Sequence, residues 1–367
     1  MRRPCDPLGA WPPDHTQCVV HRFVGLGNEP DSSHHLNLYF EPPLAPAVNP
    51  RDRRPGPTAR RAPPRGAGTA MKKGINYLLA RQTDGHWRDF ELPVGTADSW
   101  VTAYVLHHLA AVPPRRGPES LDRAMADGLA WLVGNRTVGG GWGYRTAIED
   151  DADSTALALI ALRRQGCPLP EDALRFLGRC CLADGSVATF PPGHPEGGAW
   201  TKGTVDVTPI ALEAMEPCLS GTAVDKARRF LCRRQQPDGT WPSYWWTTPL
   251  YATWTAASWL RPHGGIPRAQ ALAATLRGYC PRDVFENALL VLSAALLDGG
   301  ARLAPSVRDF ASSQNSDGSW SGAPKLRLTN PKVDAPWTGI DVGPCFADLD
   351  GIFTTATVIA ALAELPP

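Results

Sequence analysis

The chain lacks a dominant charge of either sign. Its 37 lysines and arginines nearly balance its 36 aspartates and glutamates, which gives a formal net charge of +1 at pH 7. The overall charge therefore provides no argument for an acidic partner, and we expect no nucleic-acid partner.

Paired cysteines and long apolar runs are also missing. The nine cysteines are an odd number without a Cys-x-x-Cys pair, which argues against a disulfide framework and a zinc site. This pattern favours a reduced, cytoplasmic compartment. The N-terminus lacks the apolar segment of a secretory signal, and no apolar run is long enough to span a bilayer. Peripheral contact with a membrane, and hence membrane association, stays open.

Three segments of the chain differ in composition. Residues 1–45 form an N-terminal extension, in which residues 17–42 read as two strands around a turn. Residues 46–69 are rich in proline and arginine and predict an extended linker. In residues 70–367, turns rich in glycine and proline alternate with helical runs rich in alanine and leucine, which predicts a repeat architecture.

One turn signature recurs, a glutamine shortly before Asp-Gly-x-Trp. It begins at Gln82, Gln236 and Gln314, and a weaker copy ends at Trp142. Asp-Gly forms a tight turn after a helix because glycine tolerates positive φ. The glutamine and the tryptophan can tie that turn to a neighbouring helix, so we interpret the signature as structural.

A helix with a Thr- or Ser-containing start follows most of these turns. Such a residue can cap a helix, and the apolar residues after it form a buried face. The inner helices are SWVTAYVLHHL, ADSTALALIAL, TVDVTPIALEAM, PLYATWTAASWL, DVFENALLVLSAAL and GIFTTATVIAAL. The outer helices that precede them are predicted at 71–81, 119–134, 169–181, 222–234, 267–277 and 303–313. The sequence therefore predicts an all-α (α/α)6 toroid of six inner and six outer helices, closed so that no repeat has an open apolar face.

Equivalent positions near the starts of the inner helices combine acids with aromatics. Two residues before the shared threonine-like site lie Trp100, Asp153, Asp206, Tyr251, Phe285 and Phe353. In a toroid these positions share one ring, so two carboxyls face four aromatic rings across one end of the cavity. Burial among apolar walls favours a protonated carboxyl, and π-faces stabilise a carbocation. We interpret the ring as the place of a positioned acid that starts a cationic reaction, and the alternative is that the aromatic rings pack the core and the acids cap helices.

The chain from about residue 71 to 365 resembles the class II terpene cyclases, the family of squalene–hopene cyclase. The turn signature looks like the QW motif of that family. Residues 151–156 (DADSTA) look like its Asp-x-Asp-Asp-Thr-Ala acid motif, and residues 205–208 (VDVT) resemble the Asp-Val-Thr of the next repeat. Residues 239–254 resemble the aromatic segment that lines the substrate channel.

The resemblance implies protonation-initiated cyclisation of a linear isoprenoid or meroterpenoid polyene. This would be an isomerase or lyase reaction without a metal, and Mg²⁺ would be needed only for a diphosphate substrate. Asp153 would donate the proton to a terminal alkene or epoxide, and Asp151 would hold its geometry. Asp206 and Ser154 complete the acid site. The implied substrate-binding residues are Trp100, Trp142, Trp245, Tyr251, Phe285 and Phe353.

Three departures from the family pattern bear on the substrate. Ser154 stands where the acid motif has a further aspartate, and Ile210 stands where the partner histidine is expected. The chain has room for one barrel, whereas squalene–hopene cyclase uses two. We therefore expect a shorter isoprenoid than squalene, such as a prenylated aromatic or a sesqui- or diterpenoid.

Other interpretations stay open. The Asp-Asp-x-x-Asp magnesium site of class I terpene synthases is absent from the sequence. A prenyltransferase β-subunit-like protein is disfavoured, because inner helices 285–297 and 353–364 carry no Cys or His for zinc. A non-catalytic isoprenoid-binding toroid remains an alternative function. Homodimer formation also stays open. Loops 188–203 and 321–350 lack a helical pattern and are long enough to be functional.

Overall fold

A computed structural model describes residues 66–113, 117–297, 304–339 and 342–365. The predicted N-terminal extension (1–45) and the linker up to residue 65 lie outside the described residues. The first helix begins at Ala67, slightly before the predicted start of the barrel.

Twelve α-helices of the described chain alternate between an inner and an outer ring. The inner helices are α2 (Ser99–Leu109), α4 (Ala152–Arg164), α6 (Thr208–Met215), α8 (Leu250–Leu260), α10 (Val284–Ala295) and α12 (Ile352–Ala363). The outer helices are α1 (Ala67–Arg81), α3 (Ser120–Gly134), α5 (Glu171–Cys180), α7 (Gly221–Arg234), α9 (Ala269–Gly278) and α11 (Ala304–Ser313). Successive inner helices pack against each other, and α12 packs against both α10 and α2, so the ring is closed. The predicted (α/α)6 toroid is confirmed.

The two rings differ in burial as their sequences predict. Helix α12 is buried at every position from Ile352 to Leu362. The outer helix α5 is amphipathic and buries one stripe, which includes Phe176 and Leu177. No helix in the described part of the chain is both long and apolar enough to cross a lipid bilayer.

The turn signature ties each repeat together through its tryptophan. The buried indole N–H groups donate to backbone carbonyls of the preceding outer helix, in the pairs Trp87–Leu78, Trp142–Leu132, Trp241–Leu231 and Trp320–Phe310. These N···O distances are 2.7–2.8 Å. Trp142, predicted to bind substrate, therefore has the same structural role as the other three and lies outside the cavity described below.

The glutamine of the signature stabilises the turn by a side-chain hydrogen bond to its backbone. Gln82 and Gln314 each donate to the carbonyl of the turn glycine, Gly85 and Gly318. In the second copy the residue that does this is Gln235, whose Nε2 donates to Gly239 O at 2.9 Å. The assignment of Gln236 from the sequence was wrong by one residue. The adjacent glutamines are indistinguishable by type, and only the turn geometry separates them.

Threonines connect the turns to the inner helices. The backbone N–H of the residue at the tryptophan position donates to a threonine hydroxyl on the following inner helix, at 2.9–3.1 Å. The accepting residues are Thr102, Thr155, Thr208, Thr253 and Thr355. The shared threonine used to align the repeats thus fixes where five of the six inner helices begin relative to the preceding turn.

Two small antiparallel hairpins supplement the helices. Strands β1 (Asp89–Leu92) and β2 (Gly95–Ala97) pair with each other, as do β3 (Pro324–Arg327) and β4 (Cys345–Ala347). Strand β3 also bonds to residues 245–247, with Arg327 N–H donating to Trp245 O at 2.7 Å. Strand β3, which belongs to the loop 321–350 without a helical sequence pattern, therefore lies against the segment that precedes α8.

Six of the described cysteines are free thiols, namely Cys180, Cys181, Cys218, Cys232, Cys280 and Cys345.

Candidate active site

The acid motif forms the start of α4. Asp151 is the N-cap residue, and its Oδ1 accepts the Ser154 backbone N–H at 2.7 Å. Its Oδ2 accepts the Ser154 hydroxyl at 2.7 Å. Both Asp151 oxygens are thus engaged by Ser154, a cap that stabilises the helix start. Burial nevertheless raises the pKa of Asp151 to about 6, and the Ser154 bonds oppose that rise.

Asp153 lies in the first turn of the same helix and has only one bonded oxygen among the described residues. Its Oδ2 accepts the Trp100 indole N–H at 2.9 Å, whereas Oδ1 is buried and finds no hydrogen-bond partner in the described chain. Burial raises the pKa of Asp153 to about 8, and the neighbouring Asp151 charge adds to the effect. The raised pKa favours the protonated form of this carboxyl near neutral pH.

Asp206 holds a neighbouring loop. Its Oδ1 accepts the Ser243 hydroxyl, and its Oδ2 accepts the backbone N–H groups of Tyr244 and of Trp245, the latter at 2.9 Å. Burial raises its pKa to about 6, although these donors and the nearby Arg327 guanidinium oppose the rise. Because both oxygens are occupied, Asp206 is suited to positioning Trp245 rather than to donating a proton.

A largely apolar cavity opens in front of the acids. Its volume is about 430 Å³. The aromatic side chains that line it are Trp100, Tyr144, Phe190, Trp200, Trp245 and Trp246. The three carboxyls and Ser154 lie in its wall, together with Arg327. A concave apolar site with a few convergent polar groups is the usual form of a small-molecule site.

The structure divides the predicted ring into two groups. Trp100, Asp153 and Asp206 line the cavity, as does Trp245. The remaining three ring residues, Tyr251, Phe285 and Phe353, are fully buried and do not line it. They contact the ring of Trp246 instead.

Several wall residues were not recognised in the sequence. Trp246 follows Trp245 directly, but it is not on an inner helix, so the helix alignment did not include it. Phe190 and Trp200 come from loop 188–203, and Arg327 comes from loop 321–350. In the sequence, only the unusual length of these two loops indicated that they could contribute residues to a functional site.

The described residues show no metal centre. Within the described ranges, no three His, Cys, Asp or Glu side chains converge into a group that could hold a metal ion. Initiation without a metal remains a prediction.

Comparisons with known proteins agree with the resemblance. No family model matches the chain. The chain is 30% identical over 202 residues to drimenyl diphosphate synthase of Streptantibioticus cattleyicolor, which covers 53% of this chain and 35% of that protein. A similar match of 30% over 136 residues is found with labda-7,13-dienyl diphosphate synthase of Streptomyces clavuligerus, covering 35% of this chain and 23% of that protein. The chain thus spans about a third or less of the length of these relatives.

Solved structures match over nearly their whole length. A variant of type II terpene cyclase MstE from Scytonema, in complex with geranylgeranyl dihydroxybenzoate as substrate, superposes with a TM-score of 0.71 at 22% identity. The match covers 82% of this chain and 98% of MstE. A protein from Actinoplanes matches with a TM-score of 0.70 at 28% identity, over 82% and 99% of the two chains. The chain therefore has the toroid fold of type II terpene cyclases and resembles the class II family in sequence.

Proposed function

We propose that the protein cyclises a linear isoprenoid or meroterpenoid polyene by protonating it, with Asp153 as the general acid. The observation that carries the proposal is the environment of Asp153. It combines a raised pKa, one oxygen without a partner among the described residues and a place in the wall of an aromatic cavity. A general acid is most effective when its pKa lies near the working pH.

The first step moves one proton. The Asp153 O–H donates to the terminal alkene carbon, or to an epoxide oxygen, and a tertiary carbocation forms while the carboxyl becomes a carboxylate. The π electrons of the next alkene close a ring and pass the charge along the chain. Loss of a proton, or capture of water, ends the cascade, and Asp153 regains its proton from solvent. With proton loss the product is an isomer of the substrate.

In this mechanism, the other residues of the cavity wall stabilise the carbocation or position the acid. The indole rings of Trp100, Trp245 and Trp246 line the same cavity as Asp153. Each cation–π contact contributes up to about 2 kcal/mol where water is excluded. Asp151 and Ser154 position the acid helix, and the Asp151 charge helps to keep the Asp153 proton in place before reaction.

The size of the cavity supports a short isoprenoid chain. A volume of about 430 Å³ lies at the lower end of the range of roughly 300–1,000 Å³ for small-molecule sites. MstE was solved with a geranylgeranyl-bearing aromatic substrate, which supports a chain of that class here. Cytoplasmic location, membrane contact and dimerisation stay predictions.

The test is turnover of a panel of linear isoprenoids, epoxidised and not, free and aromatic-linked. We expect a cyclic product of unchanged mass, or its hydrate, by mass spectrometry. Asp153→Asn should abolish it, and the wild-type rate should fall as the pH rises through about 8, where the acid loses its proton. Tight binding of an isoprenoid without turnover, equal in both proteins, would instead establish a non-catalytic binding toroid.

A further inference from the structure

Trp246 covers the centre of the inner-helix ring. Its indole stacks on Tyr251 at 4.5 Å between ring centroids and lies 5.3 Å from Phe353 and 5.4 Å from Phe285. Trp246 is 2% exposed and lines the cavity, whereas the three rings beneath it do not. The indole therefore forms the floor of the cavity and covers the packed aromatic cluster beneath it.

The acid lies beside this floor. Trp100, which donates to Asp153, is 6.1 Å from Trp246 between ring centroids. The charge of Asp153 also acts on the Tyr251 hydroxyl beneath the indole. The reacting end of a substrate must therefore lie at the deep end of the cavity, between Asp153 and Trp246, with its head group toward the mouth.

The backbone holds Trp246 independently of its side chain. Residue 246 forms an isolated bridge with Leu326, and Thr247 N–H donates to Lys325 O at 2.9 Å. Below the floor, Lys325 Nζ is paired with Asp348 Oδ1 at 2.6 Å and lies over the Phe285 ring. These contacts fix the loop to β3, so a smaller side chain at 246 opens space without removing the loop's anchors.

We propose that Trp246 is the end-stop that holds the terminal alkene in register with Asp153, an inference that rests on the proposed function. With the indole present, the chain cannot pass the acid, and only the last isoprene unit meets its proton. Without it, the chain terminus can enter the space that the indole vacates above Tyr251, Phe285 and Phe353. Asp153 then protonates the next alkene inward, and the product keeps its terminal alkene and has one ring fewer.

Turnover in D₂O locates the protonated carbon directly. With an alkene substrate, the deuteron from Asp153 forms a C–D bond at the carbon that is protonated, and NMR with mass spectrometry identifies that carbon. In wild type we expect the label in the terminal isoprene unit. In Trp246→Ala the ratio of internal to terminal label should rise by about tenfold or more, the change that a shift of about 1.4 kcal/mol between two binding registers produces. For an epoxide substrate the shifted product keeps its epoxide.

Matched variants separate register from folding. Trp246→Phe keeps a ring and should give an intermediate ratio, and circular dichroism establishes that both variants fold. Trp200→Ala removes an indole from the cavity wall away from the floor, so its label should stay in the terminal unit at whatever rate it turns over. A terminal label with an unchanged ring count in both folded Trp246 variants would overturn the end-stop. With an alkene substrate, a cyclic wild-type product without a C–D bond would instead contradict the proposed function, and with an epoxide substrate, whose deuteron goes to oxygen and exchanges, absence of a cyclic product would do so.

Discussion

The three carboxyls of the site differ in what their oxygens contact. Both oxygens of Asp151 accept from Ser154, and both oxygens of Asp206 accept from residues 243–245. Within the described chain, Asp153 accepts only the Trp100 indole N–H. Hydrogen bonds to a carboxylate stabilise its charged form, so the carboxyl with the fewest donors is the easiest to protonate. The same helix turn therefore carries one carboxyl held by hydrogen bonds and one, the proposed proton donor, with a single bonded oxygen.

The buried acid should lower the stability of the protein at high pH. The pKa of Asp153 is raised from 3.8 to about 8 in the folded state, so the folded state binds the proton more tightly than the unfolded chain does. Stability from this group is complete below pH 4 and is lost as the pH rises to about 8. The side chain of Asp153→Asn stays neutral at every pH, so the variant loses no stability through this titration. We expect the variant to gain a few kcal/mol over wild type between pH 5 and pH 9, at roughly 1.4 kcal/mol per pKa unit less a discount for partial exposure.

Urea unfolding of both proteins at the two pH values measures this difference. Asp225→Asn, on an exposed part of α7, is the matched control and should follow wild type at both. Parallel stability curves for wild type and Asp153→Asn would show that Asp153 ionises in the folded state as easily as in the unfolded chain.

At the scale of elements, five of the six inner helices are each joined to the preceding turn by one threonine. Thr253 is fully buried, and its Oγ1 accepts the Trp241 backbone N–H at 3.0 Å. The Trp241 indole is in turn bonded to Leu231 O on α7. A single hydroxyl therefore connects an inner helix, a turn and an outer helix.

Removing that hydroxyl should destabilise the toroid. Thr253→Val keeps the shape of the side chain but leaves the buried Trp241 N–H without an acceptor, which costs about 1–3 kcal/mol. Thr253→Ser restores an acceptor and should recover most of the loss. Thermal unfolding followed by calorimetry compares the three proteins. Equal stability of the Val and Ser variants would mean that the packing of the methyl group, and not the hydrogen bond, sets the helix position.

The helices were predictable from the sequence, whereas the floor of the cavity was not. The threonine alignment places Trp100, Asp153 and Asp206 together, because equivalent positions of a closed ring must share one level. The position of Trp246 depends instead on β3, which is distant in the sequence and pairs with residues 245–247. Helical periodicity carries no information about such a pairing, so Tyr251, Phe285 and Phe353 were predicted to face a cavity from which Trp246 separates them.

At the scale of the whole molecule, the last repeat closes on the first. Gln314 donates to Ala70 O at 2.8 Å, which joins the final turn to α1. A Cβ on Gly74 of α1 would lie 2.7 Å from the Trp320 ring, so glycine permits this close approach. Closure brings α12 beside α2 and completes the aromatic cluster, in which Tyr104 and Phe353 stack at 3.4 Å.

The described residues that line the completed cavity include more acidic than basic side chains. Glu149 and Glu196 lie at its exposed mouth, and Asp151 and Asp206 lie deeper. Among the described lining residues Arg327 is the cation, and its Nη1 already donates to Ser243 O and Tyr244 O. A substrate with a neutral head group avoids the repulsion that a diphosphate would meet at this mouth.

Neutralising the mouth should therefore improve the binding of a diphosphate selectively. In Glu149→Gln/Glu196→Gln we expect the KM of an isoprenoid diphosphate to fall several-fold, because each exposed charge contributes about 1 kcal/mol at contact distance in water. The amide that replaces the Glu149 carboxylate keeps a polar group opposite His194 Nε2, which lies 2.8 Å from Glu149 Oε2. The KM of a neutral-headed isoprenoid should stay unchanged. The selective gain should shrink in 0.5 M salt, where screening shortens the reach of surface charges. An equal change for both substrates at fixed Mg²⁺ would show that the two glutamates act on the shape of the mouth and not on its charge.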